Sequence, residues 1–569
     1  MSTIDSEKFL PNSENLDSNS PQVRLSRESI ESINTAIHSE SFDADVDTPP
    51  GERVSFASTT IAQKRMKRGF AFTIALLVVA SLATRKSSKY NVILMISDGF
   101  GPASETMARN YFQRINKLPV HWQSPLDKIL VGSSRTQSSD SLVTDSAAGA
   151  TAFACALKSY NGAIGVTDEK KPCGTILEAA KKKGLLTGLV VTSRITHATP
   201  ASFSAHVLDR GMEDLIAQYQ VGNYSLGQTV DLMFGGGKCH FLPKGQEGSC
   251  RSDTINVWNM AKDNGYNVIS TREEFDNLDI RGSNALPVLA ALSPSHMSYD
   301  IDRDPRKEPS LAEMTSKALQ ILDTQTKDSD HGFFMMVEGS KIDLAAHGND
   351  PAAHVREIIA YWDAIDAVKS YIDKHPNTLL VSVSDHETGG VTVGRQLDPF
   401  KYPEYRWNPE VLSAVQNSSS VIARYLSNYN KNDNDNNPSA TKLDFIRNTV
   451  YPEWLGIKDA THEEVNTLAK ETDTTLIEDI INESVATRAE IGFTTHGHTA
   501  VDVNLYAYGW GSKNLRGNHE NTDIGSTIID LLGLNLGEIT DRIAGDNTKQ
   551  DSPYDPYFMT LMTKGRQFE

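Results

Sequence analysis

Three carboxylates in this chain each follow a short apolar run: Asp98 after Tyr90–Ser97, Glu338 after Phe333–Val337, and Asp385 after Thr378–Ser384. One acid behind one strand is ordinarily a turn residue. Three at equivalent strand ends, two with histidines nearby, have the composition of a metal site. In Glu338-Gly-Ser-Lys-Ile-Asp343-Leu-Ala-Ala-His347 an acid and an imidazole stand four residues apart, which puts Asp343 and His347 on one face of a helical turn. Asp385-His386 adds adjacent oxygen and nitrogen donors, and Thr495-His-Gly-His498 adds imidazoles late in the chain. Carboxylate-plus-imidazole sets suit zinc, whereas an all-oxygen set suits magnesium.

A second group is the run Val143-Thr-Asp-Ser-Ala-Ala-Gly-Ala-Thr151. Thr144, Asp145 and Ser146 are all good helix N-cap residues, and the small residues after them predict a compact helix. Such a helix start commonly does no more than cap, but beside metals its amides become anion donors. A serine hydroxyl is a poor nucleophile at neutral pH and needs activation. No Ser-His-Asp arrangement is evident, so activation of Ser146 falls to a metal.

The elements that must position these groups are legible in outline. The runs ending at Asp98, Glu338 and Asp385, with Leu185–Thr192 leading into His197-Ala-Thr199, are near-continuous aliphatic and β-branched stretches. Such stretches predict strands covered on both faces. Between them, Ala353–Lys374 carries Val355, Ile358, Ile359, Trp362, Ile365, Val368 and Ile372 at helical spacing. Alternating strands and amphipathic helices predict a three-layer α/β/α sandwich around a large, mainly parallel sheet. Ligands in such folds sit at the carboxyl ends of the strands, where the three acids fall.

The 569 residues carry a formal net charge of −18, which argues against nucleic acid as a partner. It says little about small anions, since bound metals reverse the local field. Residues 1–62 are rich in Ser, Asp, Glu and Asn and predict a disordered cytoplasmic tail. Residues 63–87 hold Lys64-Arg-Met-Lys-Arg68, an uncharged run from Gly69 to Thr84, and Arg85-Lys86. That pattern predicts an uncleaved signal-anchor transmembrane helix with basic flanks. The larger basic cluster precedes it, so the expected product is a single-pass type II membrane protein with residues 88–569 as a lumenal domain. Sequons at Asn223, Asn417 and Asn482 suit a lumenal side. There a Cys239–Cys250 disulfide is expected, and Cys155, in the small-residue helix, is expected to be a buried free thiol. Phe234-Gly-Gly-Gly-Lys238 fails the Walker spacing and reads as a tight turn. Asn428–Pro438 lacks the glycine and glutamate of a calcium loop and reads as a solvated loop.

Taken together and in order, the segments resemble the alkaline phosphatase family: Asp98-Gly, Thr144–Ala152, His197-Ala-Thr-Pro200, Glu338–Asp343, Asp385-His-Glu-Thr-Gly-Gly390, and His498 before Asp502-Val503. The resemblance spans about residues 88–545, and its signal-anchor arrangement is similar to the fungal vacuolar branch, which implies the vacuole membrane. It implies hydrolysis of phosphate monoesters of broad range at alkaline pH, through a covalent phosphoserine on Ser146. It also implies two zinc ions and one magnesium per subunit of a homodimer. By position, Asp343, His347 and His498 would hold one zinc, Asp98, Asp385 and His386 the other, and Asp98, Thr199 and Glu338 the magnesium. His197 would stand beside the magnesium. Arg210 takes the place of the phosphate-binding arginine, a role that suits its planar fork, and Asp145 is expected at the substrate with it. One departure is Leu344, where many members carry Lys or His reaching towards phosphate. A phosphodiesterase or sulfatase, and a scaffold with a dead enzyme fold, are the rivals. No modified-residue motif of a sulfatase follows a strand, and no ligand is lost as a dead copy would lose it.

Overall fold

A computed structural model describes residues 89–282, 285–430 and 440–544. The tail 1–62, the anchor 63–87 and most of the Asn-rich tract after Asn430 therefore lie outside the described residues. No helix among the described residues is long and apolar enough to cross a membrane.

The strands in chain order are β1 (Asn91–Ile96), β2 (Leu130–Arg135), β3 (Leu186–Arg194), β4 (Leu232–Gly236), β5 (Asn267–Ile269), β6 (Val288–Ala291) and β7 (Phe333–Glu338). They continue with β8 (Thr378–Val383), β9 (Glu387–Thr388), β10 (Thr392–Val393), β11 (Ile491–Gly492), β12 (His498–Thr499), β13 (Val503–Gly509) and β14 (Gly517–Glu520). Ten of them form one sheet in the order β14-β2-β13-β8-β1-β7-β3-β4-β6-β5. Only β13 runs against its neighbours β8 and β2, so the sheet is mixed but mainly parallel, as expected.

Its two faces are covered by different helices. Ile93 and Met95 of β1, with Phe333, Met335 and Val337 of β7, join the core beneath helices Pro102–Ile115, Leu311–Gln325 and Pro351–Ile372. The alternate residues Val92, Leu94 and Ile96, with Phe334 and Met336, join the core beneath helices Ser146–Cys155, Ile176–Lys182 and Asn521–Leu532. This is the three-layer sandwich. Every β1 and β7 side chain is buried, at about 1.5–3 kcal/mol for each large aliphatic group. A slip of one residue would exchange the two faces, so the register that places the strand-end acids is held by the whole core.

Two disulfides are present, Cys155–Cys173 and Cys239–Cys250. The second matches the expectation. The first corrects it: Cys155 is not a free thiol, because the chain beyond helix Ser146–Cys155 returns and brings Cys173 to a Cα separation of 6.0 Å. The sequon at Asn482 is also corrected as an acceptor. Asn482 is buried in helix Thr474–Ala489, and its amide donates to Gly348 O and Ser419 Oγ. Asn223 is exposed and Asn417 half-buried.

Candidate active site

The central strands β8, β1, β7 and β3 end side by side, and the site is built on their carboxyl ends. Glu338 is the last residue of β7; Asp98 and Asp385 follow β1 and β8 by two residues. Helix Lys341–His347 starts directly behind β7 and places Asp343 and His347 one turn apart, with His347 Nε2 3.3 Å from Asp343 Oδ2. His498 arrives from far along the chain because β12 pairs antiparallel with β9, His498 opposite Thr388. Its ring then stacks on His386 at a centroid distance of 3.5 Å.

The hydrogen bonds dictate the tautomer of each imidazole. His498 Nδ1 faces the carbonyl of Thr144 at 2.7 Å, and His347 Nδ1 faces the carbonyl of His496. A carbonyl only accepts, so both Nδ1 atoms carry hydrogen and both Nε2 atoms are turned towards Asp343 as the available ligand nitrogens. Thr388 Oγ1 gives its one hydrogen to Asp343 Oδ1 at 2.5 Å and therefore accepts from His386 Nδ1 at 3.2 Å. His386 Nε2 is thus also a lone pair, facing Ser146 Oγ at 3.1 Å, Asp385 Oδ2 at 3.4 Å and Asp98 Oδ1 at 3.5 Å. Fixing ligand histidines through their second nitrogen is how metal sites are ordinarily oriented.

Three donor sets result, each with its ligand atoms within 4.8 Å of one another: Asp343, His347 and His498; Asp98, Asp385 and His386; and Asp98, His197 and Glu338. Asp98 belongs to two of them. The chemistry of these sets fits cations. His347 Nε2 and His498 Nε2 lie 3.1 Å apart and both face Asp343, at 3.3 and 3.7 Å. Asp98 Oδ2, Asp385 Oδ2, Glu338 Oε1 and Thr199 Oγ1 are buried and make no hydrogen bond of good geometry. Buried carboxylate oxygens gathered this closely are costly unless a cation joins them.

The electrostatics of the metal-free protein agree. Burial, then the neighbouring Asp385, Asp343 and Glu338, push the Asp98 carboxyl well above the usual range. Burial lifts Glu338 to about 7, and burial with Asp343 and Glu338 lifts Asp385 to about 7. Burial and then His498 hold the His386 ring well below its usual value. Asp343 moves the other way: burial raises it, but His347 and His498 outweigh burial and hold it well below the carboxylate range.

Ser146 is the first residue of helix Ser146–Cys155 and is buried against these groups. Gly149, one turn on, is required there: a Cβ at that position would lie 2.9 Å from Asp385 Cβ. Gly99 is required likewise, with φ +74° and Asp343 Cα 2.6 Å from where its Cβ would be. Asp145 caps the helix by accepting from Ala148 N, and its other oxygen accepts from Gly162 N and from Arg210 Nη1 at 3.2 Å. Its oxygens are thus engaged within the protein, and they tie it to Arg210. Arg210 Nη2 also donates to His197 Nε2 at 3.2 Å, and burial followed by the Arg210 charge keeps that imidazole neutral.

Eight of the nine expected metal-site residues and Ser146 are therefore brought together, Thr199 stands beside Glu338, and Arg210 is bonded to His197 at their side. Sequence reading missed Thr388, which lies inside the recognised Asp385–Gly390 segment but carries no ligand signature. It also missed the carbonyls of Thr144 and His496, which have no signature at all. It missed that a serine–histidine contact forms, because residues 146 and 386 meet only in the fold.

The alkaline phosphatase family profile matches residues 89–534. An alkaline phosphatase of Schizosaccharomyces pombe is 48% identical over 81% of this chain and 85% of its own length. The repressible alkaline phosphatase of Saccharomyces cerevisiae is 46% identical over 89% of this chain and 93% of its own. Among solved structures, a histidine-to-glutamate variant of the alkaline phosphatase from the Antarctic bacterium TAB5, with Mg bound in its M3 site, aligns with a TM-score of 0.55 at 28% identity over 79% of this chain and 99% of that one. With this match over most of the chain and a metal-type site on its strand ends, the protein belongs to the alkaline phosphatase family, a family of metal-dependent hydrolases of phosphate monoesters.

Proposed function

We propose that the chain hydrolyses phosphate monoesters of broad range at alkaline pH through a covalent phosphoserine on Ser146. The observation that carries this is the convergence of three imidazole Nε2 atoms and four buried oxygens at the one serine at a helix start. The two nitrogen-and-oxygen sets, Asp343/His347/His498 and Asp98/Asp385/His386, would hold zinc; Asp98 and Glu338, with Thr199 next to Glu338, would supply the oxygens for magnesium, with His197 beside them. When bound, these ions supply Lewis acidity and stabilise the deprotonated forms of the serine and of water.

The remaining chemistry belongs to the chain. Ser146 Oγ attacks phosphorus, its proton passes to solvent, and the bond to the leaving oxygen breaks. Arg210 and the amides at the start of helix Ser146–Cys155 bind the equatorial phosphate oxygens, where charge is spread in the transition state. Asp145 and His197 keep the guanidinium flat against that position, since each takes one of its terminal nitrogens. Water then attacks the phosphoserine, the Oγ–phosphorus bond breaks, and inorganic phosphate leaves. Only the phosphate is gripped, so the leaving group is weakly specified. Ser146→Ala in metal-loaded protein should abolish phosphomonoester turnover at alkaline pH, and acid quenching of the unaltered enzyme should trap phosphate on Ser146 by mass spectrometry. Retained turnover in the variant sinks the nucleophile assignment.

The 3.1 Å contact of Ser146 with His386 supports one other reading, a serine–histidine esterase. His386 Nδ1 meets a threonine hydroxyl where a triad would place a carboxylate, and the facing carboxylates would have no use in that chemistry. Turnover of a carboxylic ester by metal-free protein would favour the esterase.

We also propose that residues 63–87 anchor the chain as a type II membrane protein with its catalytic domain in the lumen, at the vacuole membrane, as a homodimer. The basic cluster before residue 69 supports that orientation, and two disulfides suit an oxidising compartment. Protease protection of the catalytic domain in sealed vesicles tests the orientation.

A further inference from the structure

Arg210 is held in place by more than Asp145, and the additional support converges on one side chain outside the ligand sets. Arg194 ends β3, three residues before His197. Its guanidinium does two things. Nε and Nη2 clasp both carboxylate oxygens of Glu213 at 2.8–3.1 Å, a bidentate pair whose side chains are only 11% and 12% exposed. Nη1 lies 2.7 Å from His296 Nε2, which must accept because a guanidinium has only donors.

Both partners lead back to Arg210. Glu213 is the first residue of helix Glu213–Gln220, three positions after Arg210, and it also accepts from Thr196 Oγ1 at 2.5 Å. The clasp therefore pins the far end of the short loop that carries Arg210 to the end of β3. His296 presents its ring edge-on to His197, at 5.3 Å between centroids and 78° between planes, and His197 Nε2 is the acceptor for Arg210 Nη2. One side chain thus fixes the phosphate arginine from its backbone side and from its side-chain side.

The chain makes special room for this arrangement, and the room accounts for the glycine run that fits no nucleotide loop. A Cβ on Gly236 would lie 2.2 Å from Ser295 O, and one on Gly237, at φ +87°, would lie 2.8 Å from Arg194 Cβ. Gly237 N and Lys238 N donate to Ser295 O and Ser293 O, so the segment bearing His296 is laid directly on the glycines. From the other side, buried Lys341 donates to Met297 O at 2.7 Å and ties that segment to the helix that carries Asp343.

We infer that Arg194 is a positioning residue for phosphate binding, acting through Glu213 and His296 on Arg210. The inference rests on the reading of Arg210 as the phosphate-binding group. Arg194 touches neither the metal-ligand atoms nor the serine, so its loss leaves the ligand sets in place and frees the guanidinium of Arg210 to swing away from the phosphate position.

The test is a double-mutant cycle in metal-loaded enzyme, read by kcat/KM for a phosphate monoester and by inhibition with inorganic phosphate, with bound zinc and Tm measured for each variant. Arg194→Ala should lower kcat/KM about tenfold and weaken phosphate inhibition in proportion, and in an Arg210→Ala background it should cost less than about twofold more. Glu213→Gln keeps the shape of the clasp and should show a smaller loss of the same kind, which serves if Arg194→Ala does not fold. Equal losses in the two backgrounds, or phosphate inhibition unchanged in both single variants, overturn the inference. An Arg210→Ala enzyme with unaltered phosphate inhibition would remove the reading beneath it, and the clamp with it.

Discussion

The two nitrogen-and-oxygen ligand sets on either side of Ser146 are made of the same residue types, yet they are built differently. Asp98, Asp385 and His386 are 0–1% exposed and lie just beyond the ends of adjacent central strands, so the register of the sheet places them. Asp343, His347 and His498 sit on a seven-residue helix and a two-residue strand, with the two imidazoles 17% and 11% exposed. The inner set carries its charge at a high cost, and its carboxyls are raised; in the outer set the imidazoles outweigh burial and Asp343 stays ionised. The inner set is thus a cavity that demands a cation, whereas the outer set is a rim that its own imidazoles partly satisfy.

Removing one ligand from each set gives the sharpest contrast. Asp385→Asn should lower kcat/KM by at least about a thousandfold, since the lost charge interaction is several kcal/mol at a fully buried position. His347→Gln, at the rim where solvent can occupy the vacated position, should cost about ten- to a hundredfold. Equal losses, measured alongside zinc content, would break the distinction between cavity and rim.

The two sets are not independent, and Thr388 is the connection, donating to Asp343 while accepting from His386. Thr388→Val keeps the shape and removes both bonds, and it should weaken zinc binding about tenfold or more at both sets. Loss confined to one set, seen by stepwise chelation, would show that Thr388 does not link them.

The smallest effect is one of pH on stability, and it comes from the fully buried carboxyls at the strand ends, not from the outer set. In metal-free protein Asp385 and Glu338 titrate at about 7, against 3.8 and 4.5 for ordinary carboxyls. The folded state therefore holds protons that the unfolded chain has lost, so this stability is fully present below about pH 4 and disappears as pH rises to about 7. Depressed imidazoles such as His386 and His197 oppose this trend, so the comparison is with an Asp385→Asn, Glu338→Gln variant. Between pH 5.5 and pH 8 the metal-free protein should lose more melting temperature than that variant, and metal binding should release protons in that window. Equal changes in the two proteins would mean that these carboxyls are not raised.

Much of this was legible before any coordinates. The strand-end acids, the Asp343–His347 turn and the helix starting at Ser146 are local patterns, and local patterns follow from residue periodicity. The buried face of helix Pro351–Ile372 was read from its spacing for the same reason. What was misread was non-local. Cys155 finds Cys173 because the chain doubles back, and Asn482 is a sequon by its neighbours but a buried hydrogen-bond donor by its surroundings.

The sequence by itself determined which chemical groups are available and which elements carry them, because residue type and period decide strand, helix and cap. Only the tertiary structure decided how those groups face one another. The β12–β9 pairing brings His498 onto His386, two distant carbonyls and Thr388 choose the tautomers, and a glycine run lets Arg194 reach towards the support of Arg210. The physical reason is that hydrogen-bond direction and close approach depend on atoms far apart in the chain, and no short stretch of sequence encodes the distance between them.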